Sequence, residues 1–366
     1  MQAEPWTLKQ VQGDEGEDDM PGVLDGVTII EMAGIGPAPF CGMMLADHGA
    51  RVIRVDRAGA ADAQGRDVLS RNRERIEADL KSPEGVAQVR ELAKSADGII
   101  EGFRPGVMER LGLGPDVLMA DNPKLVFGRM TGWGQTGPLA HAAGHDINYI
   151  SITGNLHGYG RPDQKPTPPT NAIGDFAGGG MMLSFGMVAG ILNARGTGKG
   201  QVIDCAMTDG ASVIHAMQWG FRGMGVWEDT RGVNMLDTAA HFYDTYECSD
   251  GLFISIGSIE PQFYALLREK LGLTGDAAFD AQMDKAQWPI LKARLTDIFK
   301  SQPRDHWAAL MEGTDICFGQ ILSMADALKH PHNVERGTFV KVGGLDQPGP
   351  SPRFLGTPAP IPVGRK

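Results

Sequence analysis

Three short stretches combine titratable side chains with glycine, and they are where this chain can do chemistry. GHDINY (144–149) sets His145 beside Asp146. NAIGDFAGGGMM (171–182) puts Asp175 ahead of three consecutive glycines. GSIEPQFY (257–264) places Glu260 before a proline at a helix start. A histidine titrates near pH ~6.5 and takes either protonation state around neutrality. A carboxylate reaches that range only when burial raises it, against the opposing pull of a helix N-terminus. Each acid also has a plain structural use. Asp175 suits a helix N-cap, and so does Glu260. The glycines ask for more than capping, because glycine inside a helix costs about 1 kcal/mol relative to alanine. Bare backbone beside a carboxylate suits a ligand that approaches closely.

Basic residues gather early: Arg57, Arg66, Arg71, Arg73, Arg75, Lys81, Arg104 and Arg110. Singly, each reads as a solvated surface cation. Several follow strands directly, at the carboxyl ends where α/β sheets take ligands. Together they are able to hold a phosphorylated ligand.

The elements that position these residues follow from periodicity. VTIIEM (27–32), RVIRVD (51–56), DGIIEG (97–102) and KLVFGRM (124–130) are short apolar runs that predict buried strands. Helices are predicted after GIGPAPF, with a proline in the first turn, and over SPEGVAQVRELAKSA (82–96), with Ser82 as N-cap. Strand–helix alternation implies an α/β fold, a Rossmann-like, doubly wound parallel sheet. Residues 176–194 predict a helix apolar all round, hence buried on all sides. QVIDCAM starts a further strand-to-helix unit. HFYDTYECSDGLFISIGS (241–258) predicts a β-hairpin around SDG, and PQFYALLREKLG and DHWAALME predict helices after it. The expected organisation is an acidic disordered leader over 1–20 and a large domain over 21–220, completed by 330–366. A linker over 221–240 and a smaller α+β domain over 241–329 follow. The Pro/Gly-rich tail is expected to wrap a surface.

GIGPAP after the first strand imitates a dinucleotide fingerprint, with Asp56 in the place of a ribose-binding acid. The third glycine is missing, and two prolines remove amide donors from the helix start. A Rossmann-like sheet without that cofactor is the expectation.

Composition limits the partners. The net charge is −11, of which −5 belongs to residues 1–19. An acidic body disfavours nucleic acid. No apolar run reaches the ~20 residues of a membrane span, so no membrane is expected. Cys41, Cys205, Cys248 and Cys317 match no CxxC spacing, which suits reduced thiols and a cytoplasmic setting. No secretory leader is apparent, and no metal-ligand spacing is present.

The chain resembles the family III CoA transferases and, within them, the α-methylacyl-CoA racemases. The resemblance runs from LDGVTIIEMAG through ADLK (78–81), EGFRPGVMERLGLGP (101–115) and RMTGWGQTGP (129–138). It continues through GHDINY, GDFAGGG, GTGKGQVIDCAM and SIEPQFY, and so spans essentially everything after residue 20. TGWGQTGP marks the superfamily broadly; GHDINY with GDFAGGG is more specific to the racemase branch. One departure is RNRERIEADLK (71–81), shorter than the NRGKRS-type run of many members and carrying Glu74 and Glu77.

The resemblance implies His145 and Asp175 as the two catalytic acid/base residues, with Glu260 supporting the histidine side. It implies CoA contacts at Arg57, at Ala78, Asp79, Leu80 and Lys81, at Gly102, Phe103 and Arg104, and at Arg110. Gly144, Asp146, Ile147, Asn148 and Tyr149 complete that set. It also implies an interlocked homodimer acting on 2-methylacyl-CoA, with no separate cofactor, since CoA is part of the substrate. Racemisation suits these residues. Two bases on opposite faces exchange one proton through an enolate, whose oxygen would be held by backbone N–H groups at the glycine-rich helix start. Met181, Met182, Met187 and Met217 read either as ordinary core or as an adaptable acyl channel. The alternatives are CoA transfer with Asp175 as nucleophile and a non-catalytic CoA-binding protein.

Overall fold

The structure is a computed structural model that describes residues 22–57, 59 and 67–364. The leader expected over 1–20, and Arg66, lie outside those residues. The chain divides into two compact units. Of the described residues, one holds those from 22 to 129 with 183–203 and 341–364; the other holds 130–182 and 204–340.

The first unit is built on a parallel sheet. Its elements are β1 (Thr28–Met32), α1 (Pro37–Asp47), β2 (Arg51–Asp56), β3 (Arg73–Glu77), α2 (Pro83–Ala93), β4 (Gly98–Glu101), α3 (Val107–Arg110), α4 (Pro115–Asp121) and β5 (Val126–Thr131). The strand order is β3-β2-β1-β4-β5-β6, with β6 at Val202–Ala206. The β1–β2, β1–β4, β2–β3 and β4–β5 pairs are parallel. Strand order reverses between β1 and β4, as a doubly wound sheet requires. All residues of β4 and β5 are buried, which is why these strands read as near-continuous apolar runs. Ser82 caps α2, accepting the Gly85 N–H at 3.0 Å.

Strand β3 has no apolar run to announce it. It is RERIE, and its Arg73 is 1% exposed. Charge pairing replaces apolar packing there. Glu31, on β1, takes Arg54 at 2.5 Å and Arg73 at 2.9 Å. Asp56 takes Arg54 at 3.1 Å and Arg75 at 2.8 Å, and Asp47 takes Arg71 at 2.5 Å. Arg71, Arg73 and Arg75 are therefore committed to ion pairs and leave the group expected to hold a phosphorylated ligand. Asp56, in the ribose-acid position, is likewise occupied by arginines. The tail does wrap this unit. Arg71 donates to Gln347 Oε1 at 2.8 Å, and Val363 and Asn72 exchange two hydrogen bonds.

The second unit carries α5 (Asp146–Ser151), α6 (Asn155–Gly158), a π-helix over Ala172–Met181, α8 (Met207–Ile214) and α9 (Ala216–Gly223). An antiparallel sheet follows, ordered β7-β8-β9 (Tyr243–Glu247, Phe253–Gly257, Phe318–Ile321). With it come α10 (Pro261–Lys270), α11 (Trp288–Phe299) and α12 (Arg304–Met311). The β7–β8 pair is the expected hairpin, in the register Tyr243↔Gly257. Its core gathers Phe242, Tyr246, Leu291, Phe299 and Trp307, all buried.

The apolar stretch differs from expectation in two ways. The π-helix runs directly into α7 (Met182–Thr197). This 26-residue run, 172–197, has the length and apolar composition to cross a membrane, longer than the sequence reading allowed. One face of α7 packs on the sheet. Met187 is fully buried, and a Cβ added to Gly128 or Gly98 would lie within 2.6 Å of its side chain. The helix is not buried on all sides, however: Phe185 is 74% and Leu192 73% exposed.

Candidate active site

The GHDINY turn is set by ring packing. Tyr149 donates its hydroxyl to the Gly144 carbonyl and meets Trp133 edge-on at 4.8 Å. A Cβ at Gly132 would lie 2.0 Å from the Tyr149 ring, so only glycine fits where TGWG meets GHDINY. His145 is the extended residue that starts α5, at φ −133° and ψ 174°. Its backbone N–H donates to Asn148 Oδ1 at 3.1 Å, and the residue is exposed.

Asp146 turns the other way. It is 4% exposed, and its Oδ1 accepts from Gly174 N at 2.6 Å and from Asp175 N at 2.8 Å. Asp146 thus ties the start of α5 to the first turn of the π-helix that carries Asp175. Its other oxygen is buried without a partner. Asp175 is half-buried, and its Oδ2 accepts from Asn171 Nδ2 at 3.1 Å. Burial raises the Asp175 carboxyl above its ordinary range and the Asp146 charge adds to the rise; the Asn171 hydrogen bond and the His145 charge oppose it. His145, Asp146 and Asp175 therefore form one electrostatic neighbourhood.

Two expectations change here. The amides of Gly174 and Asp175 are taken by Asp146, so they are not donors for an enolate. The amides of Asp146 and Ile147 open α5, where the first amides of a helix have no intrahelical acceptor. The second change concerns the glycines. A Cβ on Gly178 would come within 2.6 Å of Ala211 N, and one on Gly210 within 1.9 Å of Gly178 O. Close packing of the π-helix on α8 accounts for Gly178, rather than the approach of a ligand. A π-helical run beside a site is itself a common mark of function.

Glu260 stands at the head of α10. It is exposed, does not cap the helix with its side chain, and makes no ion pair among the described residues. Its charge acts on the Cys317 thiol. The structure does not join it to the His145 group by any hydrogen bond. Of the methionines, Met187 is sheet core, whereas Met181 and Met217 are each 51% exposed.

The remaining expected contacts lie in the first unit, just past the carboxyl ends of its strands. Arg57 follows β2, Ala78 to Lys81 follow β3, and Gly102 to Arg104 follow β4. Ala78 is buried and donates its N–H to Asp56 O at 2.9 Å. Asp79 Oδ1 accepts the Lys81 N–H at 3.0 Å, folding ADLK into a turn. Arg57, Lys81, Arg104 and Arg110 are exposed and form no ion pair among the described residues. Leu80 and Phe103 are half-buried and Gly102 is exposed; in the second unit Ile147 and Asn148 are exposed and Tyr149 is buried. Sequence reasoning missed the anchoring role of Asp146 and the contact from Asn171.

Residues 24–363 match the profile of CoA-transferase family III. The chain is 44% identical to the alpha-methylacyl-CoA racemase of Mus musculus over 338 residues, covering 92% of this chain and 88% of that protein. It is 31% identical to the acetyl-CoA:oxalate CoA-transferase of Acetobacter aceti, covering 90% of this chain and 88% of that protein. Among solved structures, a CaiB/BaiF family protein from Brucella suis superposes with a TM-score of 0.80 at 28% identity, over 94% of this chain and 96% of that one. The chain is an enzyme of CoA-transferase family III.

Proposed function

We propose that the protein interconverts the (R) and (S) epimers of 2-methylacyl-CoA thioesters by 1,1-proton transfer, with His145 and Asp175 as the two acid/base residues. The observation that supports this reading is an exposed histidine in the same electrostatic neighbourhood as a half-buried aspartate of raised proton affinity, with Asp146, next to the histidine in sequence, anchoring the turn that carries the aspartate. One residue removes the α-proton as its electrons move into the thioester carbonyl. The other delivers a proton to the opposite face as the enolate collapses. Each turnover leaves the pair with exchanged protonation states. The N–H groups of Asp146 and Ile147, next to His145, are suited to hold the enolate oxygen. Glu260 is proposed to support the histidine side. Arg57, Lys81, Arg104 and Arg110 are proposed to hold the CoA phosphates. No separate cofactor takes part.

The 44% identity to a racemase, against 31% to a transferase, supports the same choice. So does the raised proton affinity of Asp175, which favours a proton-carrying acid over an ionised nucleophile. The active assembly is proposed to be a homodimer.

The test is incubation of one epimer in D₂O. Deuterium should enter the α-position as the epimers equilibrate, and His145→Ala or Asp175→Asn should slow this by about 10²–10⁴-fold. No exchange with CoA bound would end the reading. A hydroxylamine-trapped adduct on Asp175 in the presence of an acceptor acid would support the transferase instead.

A further inference from the structure

We propose that Glu101, with Arg129 and Glu109, is a positioning group that holds the Gly102–Arg104 loop and the end of α3 ready for CoA, so that the charge on Glu101 sets CoA affinity. The proposal rests on the reading of that loop and of Arg110 as CoA contacts. Glu101 is the last residue of β4 and is 1% exposed. Its Oε2 accepts the Phe103 N–H at 2.7 Å, and its Oε1 accepts Arg129 Nε at 3.1 Å. The two terminal nitrogens of Arg129 reach Glu109 on α3, at 2.7 and 3.1 Å. One guanidinium on β5 therefore ties the end of β4 to α3, and the loop is clamped between them.

The place and the charges both fit this role. A Cβ on Gly102 would meet Ala38, at the start of α1, at 3.4 Å, so the loop sits at the β1/β4 reversal of strand order, where open parallel sheets take their ligands. A loop that receives phosphates needs its cations free. Glu109 adjoins Arg110 in sequence and its charge interacts with it, yet Arg129 engages both oxygens of Glu109 and leaves Arg104 and Arg110 without ion pairs among the described residues.

Glu101 is also poised to titrate. Burial pushes its carboxyl up to about 7, with Glu109 acting in the same direction, against the Phe103 amide and Arg129. Glu31, on the neighbouring strand β1, is taken up by Arg54 and Arg73. Above about pH 7 the carboxylate grips both partners; below it the neutral acid holds Arg129 and the Phe103 N–H more weakly.

The test is CoA affinity by calorimetry for the wild type and Glu101→Gln, at about pH 8.5 and about pH 6, with thermal melts alongside. At the higher pH the variant should bind about tenfold more weakly, the order expected for one charge-assisted hydrogen bond. At the lower pH the two should agree within about twofold. Comparison at equal pH cancels the titration of CoA itself. Simple electrostatics predicts the opposite sign, because removing a negative charge near phosphates tightens binding. Equal or tighter binding by a folded Glu101→Gln at the higher pH overturns the proposal and leaves the CoA reading intact. If the wild type binds no CoA, the reading of the loop fails and takes the proposal with it. If Glu101→Gln does not fold, Glu109→Gln decides: weaker CoA binding supports the clamp, and unchanged or tighter binding overturns it.

Discussion

Asp146 spends one carboxylate oxygen on two backbone amides and keeps its charge beside Asp175. Asp146→Asn separates those two duties. The asparagine oxygen still accepts from Gly174 and Asp175, so the turn survives, but the negative charge is gone. The Asp175 carboxyl then falls back toward its ordinary range, held up by burial alone. The sign follows directly: a lower proton affinity makes Asp175 a weaker base. In the direction where Asp175 removes the α-proton, the acid limb of the rate profile should move to lower pH. The plateau rate should drop about threefold to tenfold, with CoA affinity little changed. A profile identical to the wild type would mean that Asp146 only anchors the turn. At this scale His145 and Asp175 stood out in the sequence as candidates, because titratable residues beside glycine are conspicuous, and the structure puts them in one electrostatic neighbourhood. The duty of Asp146 was not. It is a bond to backbone amides about thirty residues away, and backbone amides carry no residue signature.

Two elements meet at Gly178 and Gly210, where the π-helix bearing Asp175 lies backbone to backbone on α8. A side chain there has no flexible neighbour to displace, since the nearest atoms are a carbonyl and an amide. Gly210→Ala should therefore cost about 1–3 kcal/mol in thermal or denaturant unfolding. It should also lower the deuterium exchange rate, because the π-helix must shift and carry Asp175 with it. Loss of stability without loss of rate would show that the packing and the site are independent. Among the elements, β1, β2, β4 and β5 were legible, since strands buried on both faces are written in β-branched and aliphatic residues. Strand β3 was not. Its RERIE is held by Glu31 and Asp56 on the two strands inward from it, and an ion pair between strands leaves no periodicity in either. The partners of Asp56 were hidden for the same reason: the missing third glycine of GIGPAP already spoke against a dinucleotide, but only the structure places Arg54 and Arg75 on Asp56.

For the molecule as a whole, the open question is what covers α7. Its inner face packs on the sheet, while Phe185, Val188 and Leu192 project outward, 74%, 41% and 73% exposed. Their spacing of three and four residues puts them on one stripe. The sequence showed a helix apolar all round, which promises burial on every side; a single chain delivers only the inner half. An exposed apolar stripe of this kind calls for a protein partner or a lipid surface. A second copy of the chain is the occupant that the proposed homodimer supplies. In light scattering after size exclusion, the wild type should therefore run at twice the mass of the chain and should not float with phospholipid vesicles. Phe185→Glu with Leu192→Glu should give a folded species of single-chain mass with little exchange activity, if the assembled dimer is the active form. A wild type of single-chain mass, or a double variant that stays dimeric, would move the interface away from α7. Flotation of the wild type with vesicles would assign the stripe to lipid.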